Sequence, residues 1–345
     1  MVLNKITILI LCALSNALFS CSHDVGITTK PIESDTVVAN LEIKGVSFVA
    51  TKNVVTASNI DALQNVNSNW IAQMPFAFCK QGEPTVTFDA NHQWWGETDE
   101  GIIETTLLAR AKGIKTLLKP QIWMSSDYTG IFTCNNETDW LAWEKNYATY
   151  ILHFAHLADS MNIEMFCIGT ELKLVVEKRP QYWNSLIDSI RIFYSGKLVY
   201  AANWDDYKLV PFWNKLDYIG IDAYFPLSSQ KIPSVNELVG NWNPIIKEIN
   251  NYQTDLNKEV IFTELGYKSV DQCAFEPWNP QASQLNLVAQ NNAYLAFFKS
   301  FAGKKWFKGA FLWKWYPDNI NAGGLNNIDY TPQNKPVENS IKKCF

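Results

Sequence analysis

From about residue 40 onward, short apolar runs alternate with longer stretches of helical periodicity. No other feature limits the fold as much. The runs are Leu41–Phe48, Trp70–Pro75, Lys115–Pro120, Glu164–Gly169, Lys197–Ala201, Tyr218–Ala223, Glu259–Thr263 and Gly309–Trp313. Apolar runs this short, bounded by polar segments, read as strands buried on both faces. The first and last begin about 270 residues apart, so each step averages about 38 residues, and a βα unit needs roughly 30.

The intervening segments read as helices. Ser58 with Asp61 resembles a capping box ahead of Leu63 and Val66. Thr98 is placed to cap a helix whose first turn holds Asp99 and Glu100. Trp140, Trp143, Tyr147, Ile151, Phe154 and Met161 recur at helical spacing. Further helices are expected over 184–193, 236–249 and 284–301, with a last one after Lys335-Pro336. Eight strands alternating with helices call for a parallel sheet covered on both faces, and eight is the number that closes a barrel. An open doubly wound sheet is the alternative. The chain has neither its glycine fingerprint nor a Walker A loop. The expected fold is α/β, a single-domain (β/α)8 TIM barrel over residues 40–345. With 47% hydrophobic residues, there is material for one large core.

Residues 1–20 read as a signal segment outside the fold. Lys5 gives the positive start, and the apolar stretch from Ile6 to Phe19 is too short to span a bilayer. It ends in Leu18-Phe19-Ser20-Cys21, which resembles a bacterial lipobox in which the cysteine is lipidated. An ordinary signal peptide that happens to hold a cysteine is the plainer reading. Residues 21–39 are polar and read as a flexible tether. The expected address is the bacterial cell envelope, lipid-anchored at the outer membrane or cell surface.

Cys79, Cys134, Cys167, Cys273 and Cys344 remain beyond the tether, an odd number, so at least one thiol is free. Cys167 lies in an apolar run and reads as buried and free. Cys79 and Cys134 fall in loop-like segments and are free to pair. No spacing suggests a metal site, and no cofactor is expected. The formal charge of −5 comes with no basic run, which argues against nucleic acid as a partner. A monomer is expected.

In a barrel of this kind, working groups lie where strands end at their C-terminal side. There the sequence places Lys119 and Trp123, Glu171, Asn203 and Trp204, Asp222 and Tyr224, Glu264, and Trp313 with Trp315. Two carboxylates close apolar strands directly: Glu171 after Met165-Phe166-Cys167-Ile168-Gly169-Thr170, and Glu264 after Val260-Ile261-Phe262-Thr263. One such glutamate would read as a solvated loop residue or a cap. Two on strands facing each other across a barrel mouth suggest a working pair. Their separation of 93 residues fits three βα units. Asp222 is the rival carboxylate. His153 and His156 read as surface residues of the long helix, and His92 as a loop residue. The 14 tryptophans exceed what packing asks for, so some are expected to line a groove.

A glutamate after strand four and another after strand seven resembles the retaining glycosidase clan built on such barrels. Within it, local stretches are similar to glycoside hydrolase family 113, the β-mannanases. They are Lys44-Gly45-Val46-Ser47-Phe48, Leu118-Lys119-Pro120-Gln121-Ile122-Trp123, Gly169-Thr170-Glu171, Ile219-Gly220-Ile221-Asp222-Ala223-Tyr224, Thr263-Glu264-Leu265-Gly266-Tyr267 and Trp313-Lys314-Trp315-Tyr316.

The resemblance covers roughly residues 40–343. It implies a retaining hydrolase of a β-linked oligo- or polysaccharide, with an endo-β-1,4-mannanase expected first. Glu264 would be the nucleophile and Glu171 the acid/base. Another β-linked hexose polymer, or a non-catalytic glycan-binding lipoprotein, are the alternatives. Tyr224 would orient Glu264, Lys119 and Asp222 would contact sugar or a carboxylate, and Trp313 would lie under the sugar. Trp95, Trp123, Trp204 and Trp315 are candidates for flanking platforms or for packing. Many clan members carry Asn before the acid/base glutamate, where it binds the sugar 2-hydroxyl. Here Thr170 stands there. Either that contact is lost, or another residue such as Asn203 makes it.

Overall fold

Alternation along the strands sorts side chains between two cores. Ile43, Trp70, Ala72, Leu117, Met165, Cys167, Val199, Ala201, Tyr218, Ile261 and Phe311 form one buried cluster, inside the ring of strands. Their sequence neighbours Ile71, Leu118, Phe166, Leu198, Ile219, Val260 and Phe262 belong to the larger cluster beneath the helices. Period-two alternation with both faces buried gives this result.

The computed structural model describes residues 38–88, 93–125 and 128–345. The expected signal segment, Cys21, the tether through residue 37 and His92 lie outside the described residues. In chain order the elements are β1 (Ile43–Phe48), α1 (Ala57–Asn65), β2 (Trp70–Gln73), β3 (Phe76–Phe78), α2 (Asp99–Ala111), β4 (Lys115–Leu118), β5 (Gln121–Trp123), α3 (Glu137–Ser160) and β6 (Met165–Thr170). There follow α4 (Lys173–Lys178), α5 (Pro180–Arg191), β7 (Lys197–Asn203), β8 (Tyr218–Asp222), α6 (Val235–Leu256), β9 (Glu259–Leu265), α7 (Leu287–Phe301), β10 (Phe307–Trp315) and α8 (Pro336–Cys344).

Eight strands close a parallel barrel in the order β1-β10-β9-β8-β7-β6-β4-β2. This is the expected (β/α)8 TIM barrel. β3 and β5 pair with each other outside it and extend the wall above β2 and β4. Residues 204–217 carry only single-turn 3₁₀ helices, so the step from β7 to β8 is the shortest.

Several expectations shift. The first helix is capped from Thr56, whose N–H donates to Asn59 Oδ1 at 2.8 Å, rather than from Ser58 and Asp61. Thr98 does cap α2, accepting from the Gly101 N–H at 3.2 Å. Strands β6, β7 and β9 run further toward their C-terminal ends than the apolar runs indicated, so Thr170, Asn203 and Glu264 lie within strands. Polar residues there are paired by the neighbouring strands, which hydropathy alone does not register. Cys79 and Cys134 are both unpaired, as are Cys167, Cys273 and Cys344, and all five are buried. No helix among the described residues is long and apolar enough to cross a membrane.

Gly45 in β1 shows how tightly the barrel interior is filled. A Cβ there would lie 2.5 Å from the Phe311 ring, inside contact distance. Gly45→Ala is expected to cost about 1–3 kcal/mol through overpacking, and Gly45→Ala with Phe311→Leu to recover part of it, as read by urea denaturation.

Candidate active site

Strict alternation would not bring the two glutamates into the barrel mouth. On β9, Ile261 faces inward and Phe262 outward, so Thr263 should face inward and Glu264 outward. The ladder breaks that rule. Ile221 pairs with Phe262, but Asp222 pairs with Glu264, so one residue of β9 bulges out of register. β10 sees the same irregularity, with Ala310 opposite Phe262 and Leu312 opposite Leu265. A bulge of this kind re-aims a side chain. It brings Thr263 and Glu264 to the same side, where both reach the Asp222–Lys119 cluster.

β6 has the same device. Cys167 pairs with Val199 and Thr170 with Ala201, so three steps on β6 match two on β7. Beyond it, Glu171 adopts a left-handed backbone with φ of 52°. That region is unfavourable for a residue with a side chain, and such outliers concentrate at functional sites. The turn is held on both sides. The Glu171 N–H donates to Ala201 O at 2.8 Å, and the Leu172 N–H donates to the Tyr200 hydroxyl at 2.8 Å. Gly169 just before it has no room for a Cβ, which would meet Trp183 and the Tyr147 hydroxyl at 2.8 and 2.9 Å.

Glu264 is 7% exposed and is held at both carboxylate oxygens. Lys119 Nζ donates to Oε1 at 2.6 Å, and Gln121 Nε2 donates to the same atom at 3.3 Å. The Tyr224 hydroxyl donates to Oε2 at 2.7 Å. Lys119 also reaches Asp222 Oδ1 at 3.3 Å, an atom that accepts from Thr263 Oγ1 at 2.7 Å. Lys119 and Asp222 are both 0% exposed. Of the two contacts expected for them, to sugar or to a carboxylate, the structure shows the carboxylate one, and both residues support Glu264.

The electrostatics follow from this packing. Burial alone would depress the Lys119 ammonium. The charges of Asp222 and Glu264 overcome that and hold its pKa above the usual lysine value. Burial and the Glu264 charge push Asp222 up to about 7 despite Lys119. Asp222 Oδ2 has no hydrogen-bond partner among the described residues, which also disfavours the ion. Glu171 is raised well above the ordinary glutamate value, first by burial, then by the charges of Asp222 and Glu264. The site therefore contains one carboxylate held by donors and one carboxyl inclined to keep its proton. Such divergence is what acid/base and nucleophilic division of labour requires. No group of three or more His, Cys, Asp or Glu among the described residues could hold a metal ion.

Beside the pair lies a cleft of about 420 Å3, lined by Val49, Met74, Phe76, Trp94, Trp123 and Trp313 among others. Neither glutamate lines it. Trp313 links the two regions, because its carbonyl lies against Gly266, two residues past Glu264. Trp123 is 54% exposed and presents its ring to the cleft. On the β7–β9 side, Trp204 stacks on the exposed Trp278 at 5.3 Å and 20°.

Two tryptophan expectations need correction. Trp315 is 1% exposed and packed in the core, so it offers no face to a ligand. Trp95 packs against the core, and its neighbour Trp94 is the one that lines the cleft. Asn203 ends β7, half-buried. Its Oδ1 accepts the Trp204 N–H at 2.9 Å, and its Nδ2 has no partner among the described residues. Sequence reasoning missed Gln121, Thr263, Trp94 and Trp278. Gln121 and Thr263 sit inside strand-end motifs already singled out, so proximity to Lys119 and Glu264 was the available signal. Nothing in the sequence marks Trp278.

The sequence profile of Glycoside Hydrolase Family 113 matches residues 49–335. Among solved structures, the chain is similar to a GH113 β-1,4-mannanase at 25% identity, with a TM-score of 0.75 over 88% of this chain and 98% of that one. A GH113 β-mannanase from Alicyclobacillus acidocaldarius, solved in complex with ManMIm, aligns at 23% identity with a TM-score of 0.74 over 89% and 98%. A Ruminococcus gnavus β-glucuronidase shares the fold at 10% identity, with a TM-score of 0.59 over 88% of this chain and 49% of that one. No curated protein sequence matches.

Lys119→Met would leave two buried carboxylates without their cation. Breaking a buried ion pair in this way costs about 3–5 kcal/mol, so urea denaturation should show a loss of that size. Adding Asp222→Asn should recover part of it. A Lys119→Met protein within about 1 kcal/mol of the parent would contradict the role given to the cluster.

Proposed function

The chain belongs to glycoside hydrolase family 113 and is a glycoside hydrolase; from that premise we propose that it is a retaining endo-β-1,4-mannanase with Glu264 as nucleophile and Glu171 as acid/base. One observation carries the assignment of roles. Two glutamates on facing barrel strands are each brought to the mouth by a local break in strand register; Lys119, Gln121 and Tyr224 hold the carboxylate of Glu264, while burial and neighbouring charge raise Glu171 well above the ordinary glutamate value.

In retaining chemistry the two carboxyls lie about 5–5.5 Å apart. Glu264, ionised, attacks the anomeric carbon while Glu171 gives its proton to the departing glycosidic oxygen. A covalent glycosyl-enzyme results. Glu171, now a carboxylate, takes a proton from water as that water attacks the same carbon, and Glu264 leaves. The Tyr224 hydroxyl and Lys119 hold the Glu264 carboxylate in its attacking orientation.

Asp222 has a part in the covalent stage. When Glu264 becomes an ester its charge disappears, and Lys119 would remain as an unbalanced buried cation. The Glu264 charge is also one of the causes that raise Asp222. Its loss eases Asp222 into the carboxylate form, which then serves as the counter-ion to Lys119.

The mannan assignment draws on the family and on its mannanase relatives. Aromatic rings on both sides of the glutamate pair, Trp94, Trp123 and Trp313 on one and Trp204 with Trp278 on the other, favour a chain cut internally. Another β-linked hexose polymer is the second reading, and Thr170 favours it. Asn203, with its free Nδ2 on the neighbouring strand, is suited to the 2-hydroxyl contact that Thr170 does not make. Attachment to the cell envelope through lipid on Cys21 remains part of the proposal.

Glu264→Ala should lower mannan hydrolysis about a thousandfold or more, and added azide should restore turnover with a product of inverted anomeric configuration. In the parent, kcat/KM should fall as pH rises through the raised Glu171 value, above the range of an ordinary glutamate. Glu171→Gln should remove that basic limb. A parent protein inactive on every β-mannan but active on another β-glycan would overturn the substrate in favour of the second reading.

A further inference from the structure

The sequence has no basic run, yet the fold assembles one. The described chain enters the barrel at the N-terminal pole, opposite the mouth, where the Ala39 N–H donates to Cys344 O at 3.1 Å. Around that entry point lie the ends of three elements. Lys299 is in the last turn of α7, and Lys304 and Lys305 precede β10. Lys342 and Lys343 are in the last turn of α8. A shallow depression of about 250 Å3 brings Asn40, Leu41 and Glu42 of the entering chain together with Lys304, Lys305 and Lys308. Lys299 and Lys343 both act on the Cys344 thiol, so they flank the same spot.

Local needs do not use up this charge. Lys308 is satisfied by Glu42 at 3.3 Å and Glu259 at 2.8 Å, and so occupies both of those carboxylates. Lys299, Lys304, Lys305, Lys342 and Lys343 make no ion pair among the described residues, in a chain whose net charge is −5. Helix dipoles favour lysine in the last turns of α7 and α8. They give no reason for Lys304 and Lys305, which stand in the loop beyond α7.

We propose that the N-terminal pole of the barrel is a docking surface for anionic lipid headgroups, and that it turns the active-site mouth away from the membrane. The surface has the chemistry for this: Lys305, Lys342 and Lys343 are exposed, Lys299 and Lys304 are half-buried, and none has a counter-ion among the described residues, on a face free of the site. Polybasic surfaces bind anionic bilayers, and combine with a single lipid anchor to give stable attachment. The 17 residues between Cys21 and Ala39 reach at most about 60 Å when extended, long enough to let the pole settle onto the surface that holds the lipid. The inference stands apart from the mannanase reading, since it uses no residue of the site.

The test uses residues 38–345, which contain every barrel strand and the described core, without the leader or Cys21. Sedimentation with vesicles of phosphatidylcholine alone, or with 30% phosphatidylglycerol, measures binding in about 50 mM and about 300 mM salt. The parent should bind the anionic vesicles at low salt, at least tenfold more weakly at high salt, and the neutral vesicles not at all. Lys304→Glu with Lys305→Glu should weaken binding at least tenfold. The matched pair Lys145→Glu with Lys247→Glu, on the barrel flanks, should leave it within twofold. Hydrolysis of a soluble oligosaccharide reports that each variant is folded. No binding of the parent to anionic vesicles at low salt would overturn the proposal. So would equal loss in the two pairs of variants.

Discussion

The buried cation Lys119 organises the floor of the active-site mouth. Lys119 is fully enclosed and touches two carboxylates, Glu264 and Asp222, contributed by β9 and β8. Taking an ammonium out of water is costly unless its partners are close and well oriented. The rest of the arrangement meets that condition. Thr263 and Tyr224 supply the hydrogen bonds that fix the two carboxylates, and Gln121 adds another to Glu264. The result is a nucleophile candidate whose orientation is set before any ligand arrives. Burial, with the Asp222 and Glu264 charges behind it, raises the Glu171 carboxyl well above the ordinary glutamate value.

The glutamates depend equally on broken periodicity. A regular strand would have turned Glu264 toward the helices, into a core filled by Phe262, Phe297 and Trp242. The bulge in β9 turns it into the mouth, and a bulge in β6 followed by the left-handed Glu171 does the same on the fourth strand of the ring. Both devices are stabilised by what packs around them. Gly169 lets Trp183 and Tyr147 close against β6, and Tyr200 holds the backbone just past Glu171. At Glu171 the left-handed backbone places local strain where a reactive carboxyl is needed.

Much of this was legible from hydropathy and spacing. Eight apolar runs foretold eight barrel strands, and the polar residues at their ends include Lys119, Asp222, Tyr224 and Glu264, which the structure brings into contact. What stayed hidden has physical reasons. The register shifts leave no trace in composition, so strict alternation would have misdirected Glu264. Trp94 and Trp95 are chemically equivalent in sequence, and only the turn of a 3₁₀ segment decides which one meets the cleft. Trp315 sits two residues past the end of its expected run, but the strand continues through it and takes it into the core. The lysines of the opposite pole are Lys299 and two separate pairs in the sequence, and the closing of the barrel is what unites them.

The central claim is that Glu264 forms the covalent bond to the sugar. A 2-deoxy-2-fluoro mannosyl or mannobiosyl fluoride tests it most directly. The fluorine at C2 slows both chemical steps, and the fluoride leaving group lets the first proceed, so the glycosyl-enzyme accumulates. Intact-protein mass should rise by one fluorosugar unit, and peptide mapping should place it on Glu264, between Val260 and Leu265. A label on Asp222 or Glu171, or none from a protein that hydrolyses mannan, would contradict the account.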